Sequence, residues 1–252
     1  MTGMADCNSC KTPMVQRLKL HKKSEDSVLV DATFYHSIIS SLRYLVNMRP
    51  DMAYAVGIMS RFMEKPTSQH LTVVKQIMRY IRGTLDLGCY YTRTKKGASK
   101  LVGYSDSYLT GDVDDQKSTT RVAYFIGGNL VTWVSQKQKV MALSLCEAKY
   151  VAAITAACQG IWLNRLLADR RGQAEEEVVL KVDNKSAISL CKNLVHHDRS
   201  KHINTHYHFI RECVENGKIV VDYVTTEEQL ADILTKLLGR VKFLEMRHKI
   251  EL

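Results

Sequence analysis

The sequence predicts an α/β protein in which a mixed β-sheet is flanked by helices and preceded by a mainly α-helical segment. Three observations carry that expectation. Apolar residues recur at helical spacing as far as residue 84, the period changes to two from residue 88, and beyond residue 145 helical patterns alternate with short apolar runs. Antiparallel strands first and strand–helix crossovers afterwards make a mixed sheet with helices on its faces. The change of pattern divides the chain into a basic, mostly helical part over 1–92 and a sheet-bearing part over 93–252.

Residues 1–31 are polar and mixed and read as loop or extended chain. The first helix is expected over 34–48, closed by Arg49-Pro50, because proline disfavours helical geometry in the residue before it. The second runs over 51–64, with Pro50 suited to its first turn. The third runs over 68–84, opened by Ser68 as N-cap and ended at Gly83. On that third helix Lys75, Arg79 and Arg82 recur at i, i+4 and i+7, a cationic stripe suited to nucleic-acid phosphates. Short β-rich runs follow: CYYTRT (89–94), KLVGYSD (100–106), RVAYFIGG (121–128) and LVTWVS (130–135). A long helix is expected over 145–169, a buried-type strand over 177–183, and helices over 184–193 and 204–215. A strand over 218–224 and a closing helix over 227–238 complete the chain.

Of the formal net charge of +10, residues 1–100 carry +9, from 16 Lys/Arg against 7 Asp/Glu, and residues 101–252 carry +1, from 20 against 19. A basic first part beside a carboxylate-bearing second part suits a polyanion held by one and processed by the other. The seven cysteines are odd in number and scattered, which excludes a small disulfide scaffold and fits reduced thiols in an intracellular protein, cytoplasmic or nuclear. Cys7 and Cys10 form one CxxC, but no second pair follows at zinc-ribbon spacing. The first 23 residues hold no apolar run of signal-peptide type. The longest uncharged stretch, Tyr150–Asn164, has 15 residues, short of the roughly 18 of a membrane span, so no membrane partner is expected.

Four acidic residues stand at positions that ask for a reason. Asp106 ends the strand 100–106, Glu147 sits in the first turn of the long helix, Asp183 ends the strand 177–183, and Asp232 lies inside the last helical pattern. A strand-end carboxylate on an apolar side costs desolvation unless a cation or hydrogen bonds meet it. Each has an ordinary explanation when taken alone: a turn, a helix dipole, an exposed helical face. Together, two strand ends, a helix start and a C-terminal helix can converge at one edge of a mixed sheet. Such a cluster repels itself unless hard cations neutralise it. Two Mg²⁺ ions about 4 Å apart, with Mn²⁺ as substitute, would do so and would clamp the attacking and leaving oxygens of a phosphodiester. Five histidines (His196, His197, His202, His206 and His208) crowd a short segment, but no cysteine pair at ligand spacing joins them, and zinc is not expected there.

In their order these motifs resemble the C-terminal part of the polyprotein of copia-type retrotransposons, those of plant genomes above all. YHSIISSLRYLVNMRPDMAYAVGIMSRFMEKPT (35–67) and RYIRGTLDLGCYY (79–91) look like the tail of a reverse transcriptase. GYSDSYLTGDVDDQKSTT (103–120), LVTWVSQKQKVMALSLCEAKYVA (130–152), KVDNKSAI (181–188), SKHINTHYHFIRE (200–212) and QLADILTK (229–236) look like its ribonuclease H domain. The resemblance implies a reverse-transcriptase remnant over 1–92 and an RNase H-like fold over 93–252. It makes Asp106, Glu147, Asp183 and Asp232 the catalytic carboxylates and the ligands of two Mg²⁺ ions. The implied activity is a ribonuclease H-type hydrolase cutting the RNA strand of RNA–DNA hybrids. The implied partners are that hybrid or other nucleic acid, together with other products of the polyprotein.

The chain departs from the family pattern in places. D-A-D-W-A-G is usual where this sequence has Asp106-Ser107-Tyr108-Leu109-Thr110-Gly111, and S-S-T-E-A-E-Y where it has Ser144-Leu145-Cys146-Glu147-Ala148-Lys149-Tyr150. Arg121 stands where glycine is common and Asn204 where aspartate is common. None of these removes a carboxylate, and Lys149, two residues from Glu147 on a helix, does not face it. A reverse-transcriptase palm needs a Y-x-D-D pair, whereas the only adjacent aspartates here, Asp114 and Asp115, follow Asp112-Val113 in a hydrophilic loop; no polymerase activity is expected. Two other readings stay open. One is a decayed copy that grips nucleic acid without cutting it. The other is an interaction or effector-type protein recruited from such a fragment, to which RLKL (17–20) lends a faint RxLR likeness.

Overall fold

The computed structural model describes residues 4, 7–16, 18, 20–22, 28–93, 100–109, 115–192, 204–234 and 238–252, and of 204–207 the backbone alone. In chain order the helices are α1 (Ala32–Val46), α2 (Ala53–Met59), α3 (Ser68–Arg82), α4 (Leu145–Arg171), α5 (Lys185–Lys192), α6 (Asn204–Glu215) and α7 (Arg240–Lys249). The strands are β1 (Leu101–Tyr108), β2 (Thr119–Ile126), β3 (Asn129–Lys137), β4 (Val178–Val182) and β5 (Ile219–Tyr223). Two compact units emerge, one drawn mainly from Met1–Tyr90 and Lys236–Leu252, the other from Tyr91–Gly111 and Gln116–Thr235.

The first unit is helical. Asp31 opens α1, its carboxylate accepting the Thr33 N–H at 2.9 Å. The helix expected over 51–64 is divided, with α2 lying between the 3-10 turns Pro50–Met52 and Ser60–Phe62. Thr67 rather than Ser68 caps α3: its hydroxyl accepts from the His70 N–H, and His70 Nδ1 accepts the Thr67 N–H at 3.1 Å. Tyr35, Ile39, Met59, Val74, Ile77 and Tyr80 are buried here, as are Phe243 and Met246 of α7, a helix that the sequence reading did not anticipate. At the centre lies Asp51, 1% exposed. Arg49 Nε and Nη2 donate to its two oxygens at 3.0 and 2.8 Å, and Tyr80 Oη donates to the same carboxylate. Arg247 Nη1 of α7 then donates to Tyr80 Oη at 3.2 Å. Bidentate pairing of this kind is what makes a buried carboxylate tolerable.

The second unit is a five-stranded mixed sheet flanked by helices, as expected, in the order β3-β2-β1-β4-β5. β1 pairs antiparallel with β2, and β2 with β3, while β1 pairs parallel with β4, and β4 with β5. Gly127 and Gly128, with φ of 57° and 91°, make the two-residue turn between β2 and β3 that a tightly twisted hairpin requires. Helix α4 is long and apolar enough to cross a membrane, but it packs on β1, β2 and β4 as the core helix, with Ala148, Tyr150, Ala152, Ala153, Ala156 and Ala157 buried. Tyr124 of β2 lies between Gly103 of β1 and Gly160 of α4, and its hydroxyl donates to the Ala156 carbonyl at 2.7 Å.

Two expected elements do not form among the described residues. Residues 89–93 form no strand: the Thr92 N–H and hydroxyl go to the Asn129 side chain, at 2.6 and 3.2 Å, instead of to a ladder. In place of the closing helix over 227–238 stands a 3-10 turn, Leu230–Leu234. Ala231, Asp232, Ile233 and Leu234 are all buried, and four consecutive buried positions suit a tight turn rather than a helix with one apolar face.

Candidate active site

Strand register brings the first two acidic residues together. In the parallel pair β1–β4, Ser105 lies beside Val182, and Asp106 and Asp183 are the next residues of the two segments. Asp183 follows the end of β4, whereas Asp106 does not end its strand as expected, since β1 stays paired with β2 as far as Tyr108. Both side chains are nearly inaccessible, at 1% and 3% exposure. Asn184, directly after Asp183, starts α5 by accepting the Ala187 N–H on Oδ1 at 2.8 Å.

The group that meets these carboxylates is Lys149, from the second turn of α4. Its Nζ lies 3.0 Å from Asp106 Oδ1 and 2.5 Å from Asp183 Oδ1. Burial alone would push the Lys149 ammonium toward deprotonation; Asp106 and Asp183 outweigh it, and the net shift is upward. A second cation sits on the other side. Arg121 is directly opposite Asp106 in the antiparallel pair β1–β2, is fully buried, and places Nη1 3.9 Å from Asp106 Oδ2.

The other two acidic candidates have different surroundings. Glu147 is at the start of α4, where Ser144 caps the helix by accepting the Glu147 N–H at 3.1 Å. Its carboxylate in turn accepts the Leu143 N–H at 2.7 Å. Asp232 is buried in the 3-10 turn, which packs on β1 and β2. Gln229 fixes that turn next to the site: its Nε2 donates to the Ser105 carbonyl at 3.0 Å and its Oε1 accepts the Ala231 N–H at 3.3 Å.

Gln138 is a further organiser. Its Nε2 lies within hydrogen-bond reach of Ser107 Oγ (3.3 Å), Thr120 Oγ1 (2.9 Å) and the Ala148 carbonyl (2.9 Å), tying β1, β2 and α4 together beside Asp106. Neither glutamine was singled out from the sequence. Both lie inside motifs quoted above; Gln229 stands three residues before Asp232, whereas Gln138 is nine residues from Glu147 and carried no such signal.

Two Mg²⁺ ions are the cofactor that the resemblance implies, and the residues as arranged do not fit them. Lys149 Nζ takes the space between the Asp106 and Asp183 carboxylates, and Arg121 flanks Asp106 from the other side. Among the described residues no group of three or more His, Cys, Asp or Glu is placed to hold a metal ion. Asp106 and Asp183 are met by side-chain cations of the chain itself.

Of the cationic stripe, Lys75 and Arg82 are exposed on α3, and Arg79 is half-buried with its Nε donating to the Asn8 carbonyl at 2.6 Å. His196, His197 and His202 lie outside the described residues, as do Arg17 and Lys19 of the RLKL stretch; His208 is exposed on α6.

No protein-family model matches the chain. A retrovirus-related Pol polyprotein from transposon TNT 1-94 of Nicotiana tabacum is 40% identical over 250 residues, covering 96% of this chain. The chain spans only 18% of that polyprotein's length. Secreted RxLR effector protein 161 of Plasmopara viticola is 39% identical over 130 residues, 51% of this chain and 90% of that protein. Among solved structures, an LC11 RNase H1 in complex with an RNA/DNA hybrid matches 54% of this chain and 93% of its own, at 16% identity and a TM-score of 0.41. With this degree of identity to the Pol polyprotein across nearly its whole length, the chain belongs to the copia-type retrotransposon Pol family.

Proposed function

We propose that the chain is a ribonuclease H-type segment of a retrotransposon Pol polyprotein that holds RNA–DNA hybrid and does not cut it with divalent ions. The ribonuclease H-type reading is supported by the Pol kinship over 96% of the chain and by Asp106 and Asp183, which directly follow the paired residues Ser105 and Val182. The single observation that carries the rest is the Lys149 ammonium between Asp106 and Asp183. A phosphodiester cut by two metals needs ions at the carboxylates, and here the charge is already met.

Holding is assigned to the basic surface, Lys75, Arg79 and Arg82 among it. Each phosphate contact should contribute roughly 0.9 to the log–log salt slope of affinity for duplex-like substrates. Anisotropy of a labelled hybrid across a salt series tests this. Binding with a clear salt slope, made weaker and shallower when the three residues are replaced by alanine, is the expected result. Unaltered affinity and slope would make the stripe mere surface.

The second reading, a metal-dependent endoribonuclease, is favoured by the presence of Asp106 and Asp183 on neighbouring segments, one residue past the Ser105–Val182 pair. Incubating the same hybrid with Mg²⁺ and with EDTA separates the two. Intact RNA in both is expected; cleavage that Mg²⁺ supports and EDTA abolishes would establish the second reading.

A further inference from the structure

We propose that Lys149 is a built-in cation that stands in for a divalent ion between Asp106 and Asp183, so that the acidic centre is closed to Mg²⁺ by one side chain. The inference rests on the ribonuclease H-type reading and deepens it, by making the Lys149 charge the property that keeps a divalent ion out.

Three features of the geometry support it. The ammonium touches one oxygen of each carboxylate, at 3.0 and 2.5 Å, which is a bridging position and not a one-sided ion pair. All three side chains are at most 9% exposed, so water contributes little of the compensating charge. Arg121, directly opposite Asp106 in the sheet, adds a second cation 3.9 Å from the other oxygen of that carboxylate. A divalent ion draws on uncompensated negative charge and on oxygens 2.0–2.1 Å away for Mg²⁺. To enter here it would have to expel an ammonium that has no other described partner in place. The nearest further carboxylate on the same helix, Glu147, already holds the Leu143 N–H at 2.7 Å. The anchoring of Lys149 explains why it reaches both carboxylates: α4 packs against β1 and β4, and the lysine stem spans the gap from the second turn of the helix.

The position also predicts what its removal does. Lys149→Gln leaves two buried carboxylates facing each other, a pair that repels itself and attracts a divalent ion. The experiment is a Mn²⁺ titration of the full chain, read by electron paramagnetic resonance of free Mn²⁺ and by thermal melting. It is run on the unmodified protein, on Lys149→Gln and on Lys149→Gln combined with Asp183→Asn. Hybrid binding in EDTA is measured in parallel. The unmodified protein should leave Mn²⁺ free and its melting temperature unmoved. Lys149→Gln should bind Mn²⁺ about tenfold tighter or more and melt higher in its presence. The double variant, which has one fewer charge, should fold without Mn²⁺ and lose the gain. Tight Mn²⁺ binding by the unmodified protein, or equal affinities in all three, would overturn the proposal. If Lys149→Gln is unfolded, Mn²⁺ does not restore it and the double variant is unfolded as well, the ion-mimic role is likewise refuted, because the site would then need the lysine's fit and not its charge. Loss of hybrid binding by the unmodified protein would strike the functional reading instead and leave the ion result standing.

Discussion

Gln138 concentrates in one side chain the fastening of β1, β2 and α4 beside Asp106. Replacing it by alanine leaves the Ala148 carbonyl and two hydroxyls without that partner in a buried place. Gln138→Ala should therefore lower unfolding free energy by about 1–3 kcal/mol, seen as a lower urea midpoint at unchanged slope. Residues such as this show where sequence reading reaches and where it stops. Asp106 and Asp183 were legible because a carboxylate ending an apolar strand asks for a partner. The partner was not legible. Lys149 was weighed against Glu147, its neighbour two positions away on the helix, and dismissed because such neighbours do not face each other. Its actual partners are on two strands that are far from it in sequence, and only the parallel register of β1 and β4 brings them to one ammonium.

Helix α4 offers a test in which two effects have opposite signs. Alanine is the better helix former than glycine by about 1 kcal/mol, so Gly160→Ala ought to stabilise if propensity ruled. A Cβ at that position would overlap the Tyr124 ring, 2.9 Å from Cζ, and crowd Val178 Cγ1 at 3.1 Å. Tyr124 cannot give way cheaply, being wholly buried and tied to the Ala156 carbonyl. Overpacking of this kind costs about 1–3 kcal/mol, so net destabilisation is expected, and a thermal melt of the variant reads the sign. At this scale most of the fold was legible: β1 to β5 and α3 to α6 fall within a few residues of their expected spans. The failures share one cause. Periodicity treats a run as if only its own pattern mattered. In 89–93 the Asn129 side chain took the backbone groups, and in 230–234 burial on every side, with Gln229 fastened to Ser105, left no room for a solvent-facing helix.

For the molecule as a whole, two predictions concern stability. Asp51→Ala removes the acceptor of two Arg49 bonds and of Tyr80, leaving a buried guanidinium. A loss of about 3–5 kcal/mol is expected, measured by circular dichroism in urea. Alkaline pH should also loosen the sheet-bearing unit. Burial pushes the Cys191 thiol from 9.0 up to about 12, against the weaker opposing pull of Arg211. Below pH 9 the thiol is neutral in both folded and unfolded chains. Between 9 and 12 the unfolded chain releases the proton first, so stability falls as pH rises, by about 1.4 kcal/mol per pH unit. Cys191→Ala should flatten that decline in unfolding measured at pH 8.5 and 10.5. The placement of α7 has a different sort of consequence. Phe243, Met246 and Arg247 complete a helical unit otherwise drawn mainly from residues up to Tyr90. In genetic terms, a frameshift after codon 235 would leave the reading frame of all five strands untouched. Its damage would fall on the helical unit, where Tyr80 would lose the Arg247 hydrogen bond and the edge of Phe243.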